Sequence, residues 1–133
     1  MLFRSCSRSK YVLNSSGLNL SMLREKSGTT NPALLHPEDI AALGLADEQL
    51  VELHSEHGSI SAVLRADPRI KRGVIAMHHA WGVAPDDASV DDVRRVGSNT
   101  NRLIDNSQHR QRYTGMTRQS AIPVYLRARP ESP

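Results

Sequence analysis

The stretch HPEDIAALGLADEQLVELHSEHGSI, residues 36–60, decides how this chain folds. It reads as a short helix, a turn, a strand, a tight turn and the start of a second strand. Pro37 stands at a first helical position, where the N–H it lacks would have no intrahelical partner. Glu38 and Asp39 place negative charge at the positive end of the helix dipole. Ile40, Ala41 and Leu43 form the apolar stripe. Gly44 supplies the stop, because a left-handed C-cap favours a residue without a Cβ, and Leu45 folds back onto the helix. Val51 and Leu53 alternate with Glu52 and His54, the period of two that marks a half-buried strand. Glu56-His57-Gly58 reads as a hairpin turn with Gly58 free to take positive φ. Ile60, Ala62 and Leu64 carry the return strand.

The flanking sequence repeats this economy of short elements. Tyr11-Val12-Leu13 is a β-prone run read as the first strand, and Asn31 to Leu35 is an extended segment. Val74 to Met77 is a continuous apolar run of buried-strand type. Ala121, Ile122, Val124 and Leu126 mark the closing strand, in which Pro123 implies an edge or a bulge because it cannot donate to a ladder. Leu18, Leu20, Met22 and Leu23 suggest a short turn or helix. Ser89-Val90-Asp91-Asp92 fits a capping box for a helix through Val93–Val96 that stops at Gly97. The pattern predicts a mainly β domain of six to seven strands with two or three short helices. The opening MLFRSCSRSK lacks acids and reads as a transit peptide or a frayed terminus. Because Tyr11 already looks like strand, residues 1–9 are expected to be a flexible segment, 10–127 the domain and 128–133 a tail.

Composition narrows the function. The 133 residues fit one domain, and with 38% hydrophobic but only 4% aromatic residues the core must be Leu, Val, Ile and Ala. No window reaches the roughly 18 apolar residues of a membrane span. Cys6 is the only cysteine, which excludes an internal disulfide and a cysteine-based metal site and points to the cytoplasm. The net charge of +3 suits an anionic ligand such as a pyrophosphate without requiring one. Dispersed basic residues and scarce aromatics argue against nucleic acid.

No acid/base pair, nucleophile triad or phosphate-loop motif is present, so no catalytic residue is expected. The adjacent His78 and His79 would point to opposite faces of a strand and lack a third ligand, so no metal site is expected either. Asn14-Ser15-Ser16-Gly17 reads either as a loop whose N–H groups and hydroxyls face a phosphate or pterin, or as an ordinary polar connection. His79-Ala80-Trp81-Gly82 is either a ligand-facing loop or a packing tryptophan beside a solvated histidine. Ser98, Asn99, Thr100 and Asn101 make a loop of short polar groups. It either satisfies its own backbone or, since asparagine both donates and accepts, matches the mixed edge of a pterin or amide.

With Pro37, Leu43-Gly44, Asp47, Val51 and Gly58 in this order, the chain resembles the molybdopterin dinucleotide-binding domain. That is the C-terminal domain of formate dehydrogenases and related molybdenum oxidoreductases. The resemblance covers about Lys10 to Arg127. It implies a double-psi β barrel that binds molybdopterin guanine dinucleotide, with molybdenum held through the pterin rather than by this chain. It places the cofactor against Asn14, Ser15, Ser16 and Gly17, against His79, Trp81 and Gly82, and against Ser98, Asn99, Asn101 and Leu103, with Gly115 in a further turn. Asn101-Arg102-Leu103 falls on a recurring Asn-x-Leu and resembles the formate dehydrogenase-like branch. Thr117 stands where the family usually has proline, which implies a less rigid turn. The metal ligand and the iron–sulfur cysteines of such enzymes lie in earlier domains. The chain therefore reads as a detached C-terminal domain or small subunit that partners a larger molybdenum-enzyme subunit. The other readings are a non-catalytic protein-interaction module on the same barrel and a small stand-alone enzyme.

Overall fold

The structure is a computed structural model and describes residues 1–14, 16–82 and 90–129, with only the backbone of 90–92. The strands are β1 (Leu2–Ser7), β2 (Ala33–Leu35), β3 (Leu50–His54), β4 (Ser59–Ala66), β5 (Val74–His78) and β6 (Ile122–Ala128). The helices are α1 (Ser21–Ser27), α2 (Pro37–Ala42) and α3 (Val90–Val96), with a 3-10 turn at Thr100–Leu103. The strands close into a barrel in the order β1-β5-β2-β4-β3-β6. Two neighbouring pairs are parallel, β1 with β5 and β2 with β4, and the other pairs are antiparallel. The core is aliphatic, built from residues such as Leu35, Val51, Leu53, Leu64, Ile75, Met77 and Val124.

The 36–60 cassette forms as its sequence dictates. Pro37 opens α2, and the His36 ring caps it by accepting from Glu38 N at 3.2 Å. Gly44 takes φ +66 just past the helix, and Leu45 N donates back to Ile40 O at 3.1 Å. In the β3–β4 hairpin, Leu53 faces Ile60 and Val51 faces Ala62, so the alternating apolar residues meet across the strands. Gly58 differs from expectation. It is not among the residues with positive φ; a Cβ there would lie 2.6 Å from the Arg102 carbonyl oxygen. The position requires glycine because the 3-10 turn presses on the hairpin, not because of φ.

Two further expectations are corrected. Residues 1–9 are not a loose segment, since Leu2–Ser7 is the strand that closes the barrel between β5 and β6. Tyr11–Leu13, expected as the first strand, is a turn region with one isolated bridge from Leu13 to Ser16. The Arg and Ser content hid an inward row, Leu2, Arg4 and Cys6, at the period of a strand. Ser89 of the expected capping box lies outside the described residues, whereas Gly97 does end α3 with φ +78. Pro123 pairs with Phe3 where β6 has no second neighbour, because the β3 register starts only at Tyr125. Phe3 N donates to Gly73 O, so the polar groups of Phe3 face β5 and none of its bonds is lost to the proline.

Helix α2 is fastened to the barrel by one carboxylate. Asp39 accepts from Gly73 N at 2.6 Å and from Arg72 Nε at 2.8 Å, just before β5 begins. The Gly73 N–H, aided by Arg72, holds this carboxyl below the usual carboxylate range. A depressed folded-state pKa gives stability that is full above the ordinary carboxylate pKa and is lost as pH falls through the folded value. Asp39→Asn should therefore cost about 1–3 kcal/mol at neutral pH. It should also flatten the acid limb of stability in urea melts followed from neutral to acid pH; an unchanged acid limb would remove Asp39 from this role.

Candidate functional site

The strand directions place the C-terminal ends of β1, β3 and β5 and the starts of β2, β4 and β6 at one end of the barrel. Three of the loops singled out in the sequence lie there. The His79 ring joins two of their supports: Nδ1 is 3.0 Å from Ser7 O and 3.4 Å from Cys6 Sγ, and Nε2 is 3.2 Å from Asn14 Oδ1. Asn14 sits at φ +54 and Ala80 at φ +85, left-handed conformations that cost non-glycine residues energy and persist only where their surroundings impose them.

The second junction is made by Asn31, which is buried at the start of β2. Its Nδ2 donates to His78 O at 2.7 Å and to Ser98 O at 2.9 Å, and its Oδ1 accepts from Ser98 N at 2.7 Å. One amide thereby locks the end of β5 to the segment after α3. Glycines make the approach possible. A Cβ on Gly82 would strike the Ser98–Asn99 backbone, and one on Gly97 would strike Asn31 and Trp81. Trp81 is buried beside His78, with ring centroids 5.9 Å apart. Burial holds the His78 imidazole below its ordinary pKa, and its Nδ1 shares a 2.9 Å hydrogen bond with Ser7 Oγ.

Within the 98–103 segment the polar residues divide their tasks. Ser98 Oγ donates to the Ser61 carbonyl. Asn99 caps the 3-10 turn by accepting from Asn101 N at 3.1 Å. Leu103 is fully buried in the core, so it anchors the turn and offers no surface to a ligand. Asn101, between cap and anchor, is exposed. Ser16 is exposed and Gly17, at φ +96, packs against Leu23; Ser15 lies outside the described residues. Gly115 belongs to a separate turn that is closed by Gln111, whose Oε1 accepts from Tyr113 N, Thr114 N and Thr114 Oγ1. None of the hydrogen bonds among the described residues joins Gly115 to the other three loops.

Two residues at this end were not singled out in the sequence, Asn31 and Arg4. Arg4 is buried, and its Nη1 donates to Gln119 O at 2.7 Å, while Nε and Nη2 meet no acceptor among the described residues. Burial lowers its pKa against the opposing influence of Cys6. Trp81 Nε1 is likewise a buried donor without an acceptor among the described residues. Buried N–H groups left unpaired are costly and rare in folded proteins. Asn31 carried no periodicity that could mark it, and Arg4 was visible only as the polar member of an alternating row.

A closed barrel with glycine-eased polar loops and unpaired buried donors at one end defines a domain built to hold a polar ligand. The family comparison agrees: the molydopterin dinucleotide binding domain matches residues 5–123, and the chain belongs to that family. It is 33% identical over 76 residues to a dimethyl sulfoxide/trimethylamine N-oxide reductase of Rhodobacter capsulatus, a span that is 56% of this chain and 9% of that protein. It is 37% identical over 62 residues to a trimethylamine-N-oxide reductase of Haemophilus influenzae, covering 44% of this chain and 8% of that one. The chain thus spans less than a tenth of these relatives. Acetylene hydratase from Pelobacter acetylenicus shares the fold, with a TM-score of 0.73 and 20% identity over 94% of this chain and 18% of that one. Among the described residues no helix is long and apolar enough to cross a membrane.

The Asn31 junction predicts a sharp mutational contrast. Asn31→Leu leaves the Ser98 N–H and two carbonyls buried without partners, and each unpaired group costs about 1–3 kcal/mol. Asn101→Leu on the exposed turn should stay within about 0.5 kcal/mol of the parent protein. Urea denaturation of both variants measures the difference, and equal midpoints would show that Asn31 does not lock the two segments.

Proposed function

We propose that this chain binds molybdopterin guanine dinucleotide as the C-terminal part of a larger molybdenum oxidoreductase, covalently or as a small subunit. What supports the reading is that the Asn14, His79–Gly82 and Ser98–Asn101 segments share one end of the barrel, tied by the His79–Asn14 and Asn31–Ser98 hydrogen bonds, and that Trp81 and Arg4 carry buried donors without acceptors among the described residues. A dinucleotide cofactor supplies acceptors of the required kind: pyrophosphate oxygens for a guanidinium and pterin or base carbonyls for an indole N–H. Asn14, Ser15, Ser16, Gly17, His79, Gly82 and Asn101 would hold its polar edge, Ser98 and Asn99 would fix the loop that carries Asn101, Gly82 and Gly97 keep the backbone close, and Leu103 anchors the turn. Gly115 would border the site from its own turn. The parallel pairs β1/β5 and β2/β4 support a barrel of the double-psi type.

The bound cofactor supplies the redox chemistry, and its molybdenum is held through the pterin rather than by this chain. This chain's residues bind and orient. The sulfoxide and N-oxide reductases among its relatives favour that branch over the formate dehydrogenase-like branch suggested by Asn101-Arg102-Leu103. The lone Cys6 supports a cytoplasmic setting, and the interaction partner is the remainder of the enzyme.

The test is pterin retention by the chain expressed in cells that make the cofactor, read as the fluorescence of the oxidised pterin released on denaturation. Asn101→Leu removes one donor and one acceptor at similar volume. The loss of about 1–3 kcal/mol corresponds to a five- to 150-fold weaker retention at a nearly unchanged melting temperature. Trp81→Phe should weaken retention in the same direction. Absence of pterin from the parent chain and from its complex with the larger subunit would overturn the reading. The isolated chain should reduce neither trimethylamine N-oxide nor dimethyl sulfoxide and oxidise no formate; turnover by pure protein would show a catalytic group not recognised above.

A further inference from the structure

At the same barrel end, on the side of β3, β4 and β6, three side chains converge that the cofactor reading does not use. They are His57 in the β3–β4 turn and Asp105 and His109 in the loop after the 3-10 turn. One ligand atom from each lies within 4.8 Å of the others. His57 Nε2 is 3.7 Å and His109 Nδ1 is 3.4 Å from the same Asp105 oxygen, Oδ2. These separations exceed the 2.7–3.2 Å of a good hydrogen bond. The two distances to the shared oxygen approach the edge of a coordination shell, since four ligands at about 2.0–2.1 Å from a zinc ion stand about 3.3 Å apart, and the histidines would draw in to complete it.

We propose that His57, Asp105 and His109 form a binding site for a divalent transition-metal cation of the zinc class. Two imidazoles and one carboxylate are a donor set for such ions, not for calcium or magnesium, which take oxygen ligands. The carboxylate is held in place by protein donors. Asp105 Oδ1 accepts from Ser107 N and Ser107 Oγ, both at 2.6 Å, and Oδ2 accepts from Gln108 N at 3.0 Å. Such outer partners orient a ligating carboxylate and raise affinity. Asp105 is buried, whereas both histidines are exposed and free to close the last fraction of an ångström.

The three residues line a cavity of about 470 Å³ that also includes Ser55, Arg118 and Tyr125. A fourth coordination position would open into it, leaving room for water or an anionic ligand. Arg118, which also lines the cavity, directs its Nε and Nη2 donors at the Ser120 and Ala121 carbonyls. The site would pin the hairpin turn to the 105–109 loop. Sequence inspection missed it because His57 lies far from the Asp105-x-x-x-His109 pair along the chain.

The experiment uses the full, untagged chain after removal of metals by a chelator. Titration calorimetry with Zn2+, and visible absorption with Co2+, should show one equivalent bound per chain and a raised melting temperature. His57→Gln and His109→Gln should each weaken binding at least tenfold, as even the loss of an outer partner costs about 10- to 100-fold. His36→Gln, beyond the opposite end of the barrel at the start of α2, should leave the metal affinity unchanged. The two histidine variants alter exposed side chains and leave the carboxylate and its loop intact, so their folding in the absence of metal is expected to match the parent. The absence of stoichiometric binding, parent-like affinity in either His57→Gln or His109→Gln, or loss of binding in His36→Gln would each overturn the proposal. None of these outcomes bears on pterin retention.

Discussion

The arrangement of the ligand-facing end rests on the carboxamide of Asn31. A single side chain with both donor and acceptor capacity meets three backbone groups from two distant segments, and no apolar or singly functional residue of that size could do so. Because Asn31 is buried, these bonds face no competition from water, and each partner would be left unpaired if the amide were lost. The glycines at 82 and 97 follow from the same constraint, since the segments approach too closely for a Cβ. Ala80, two residues before Gly82, takes a left-handed conformation.

Much of the barrel was legible because local physics and tertiary structure agree over residues 36–78. Proline at the first helical position, acids beside it and Gly44 after it bound α2 by rules that need no tertiary information. Alternation in β3 and β4 reported the barrel interior directly. Legibility failed where polarity and burial disagree. Arg4 is as deeply buried as the core leucines, so a strand containing it, flanked by serines, read as a loose terminus. Gly58 was identified as necessary for the wrong reason, since its conflict is with Arg102, more than forty positions later. Close approaches of this kind leave no local trace.

The candidate site was legible as a set of loops but not as a geometry. Composition identified Asn14, Trp81 and Asn101, and family likeness grouped them. Only the structure separates those that hold the scaffold from those left free to meet a ligand: Asn99 caps, Leu103 anchors and Asn101 is exposed. Polar residues of similar type therefore divide between those bonded into the scaffold and those left exposed, and substitution at neighbouring positions should separate the two.

The place of β1 has a consequence for the order of assembly. Its only partners are β5 and β6, and the hydrogen bond from Arg4 to Gln119 spans 115 positions. Contacts this remote are slow to form, because a long loop must close before they repay its entropy. During synthesis at about 5–20 residues per second, β1 waits on the order of ten seconds for β6 to be made. Through that interval the edges of β1 and β3 that β6 will cover have no native partner. The same lateness would let the ends of the barrel remain open while a ligand enters, and would set closure of the β1–β6 seam as the last step of folding.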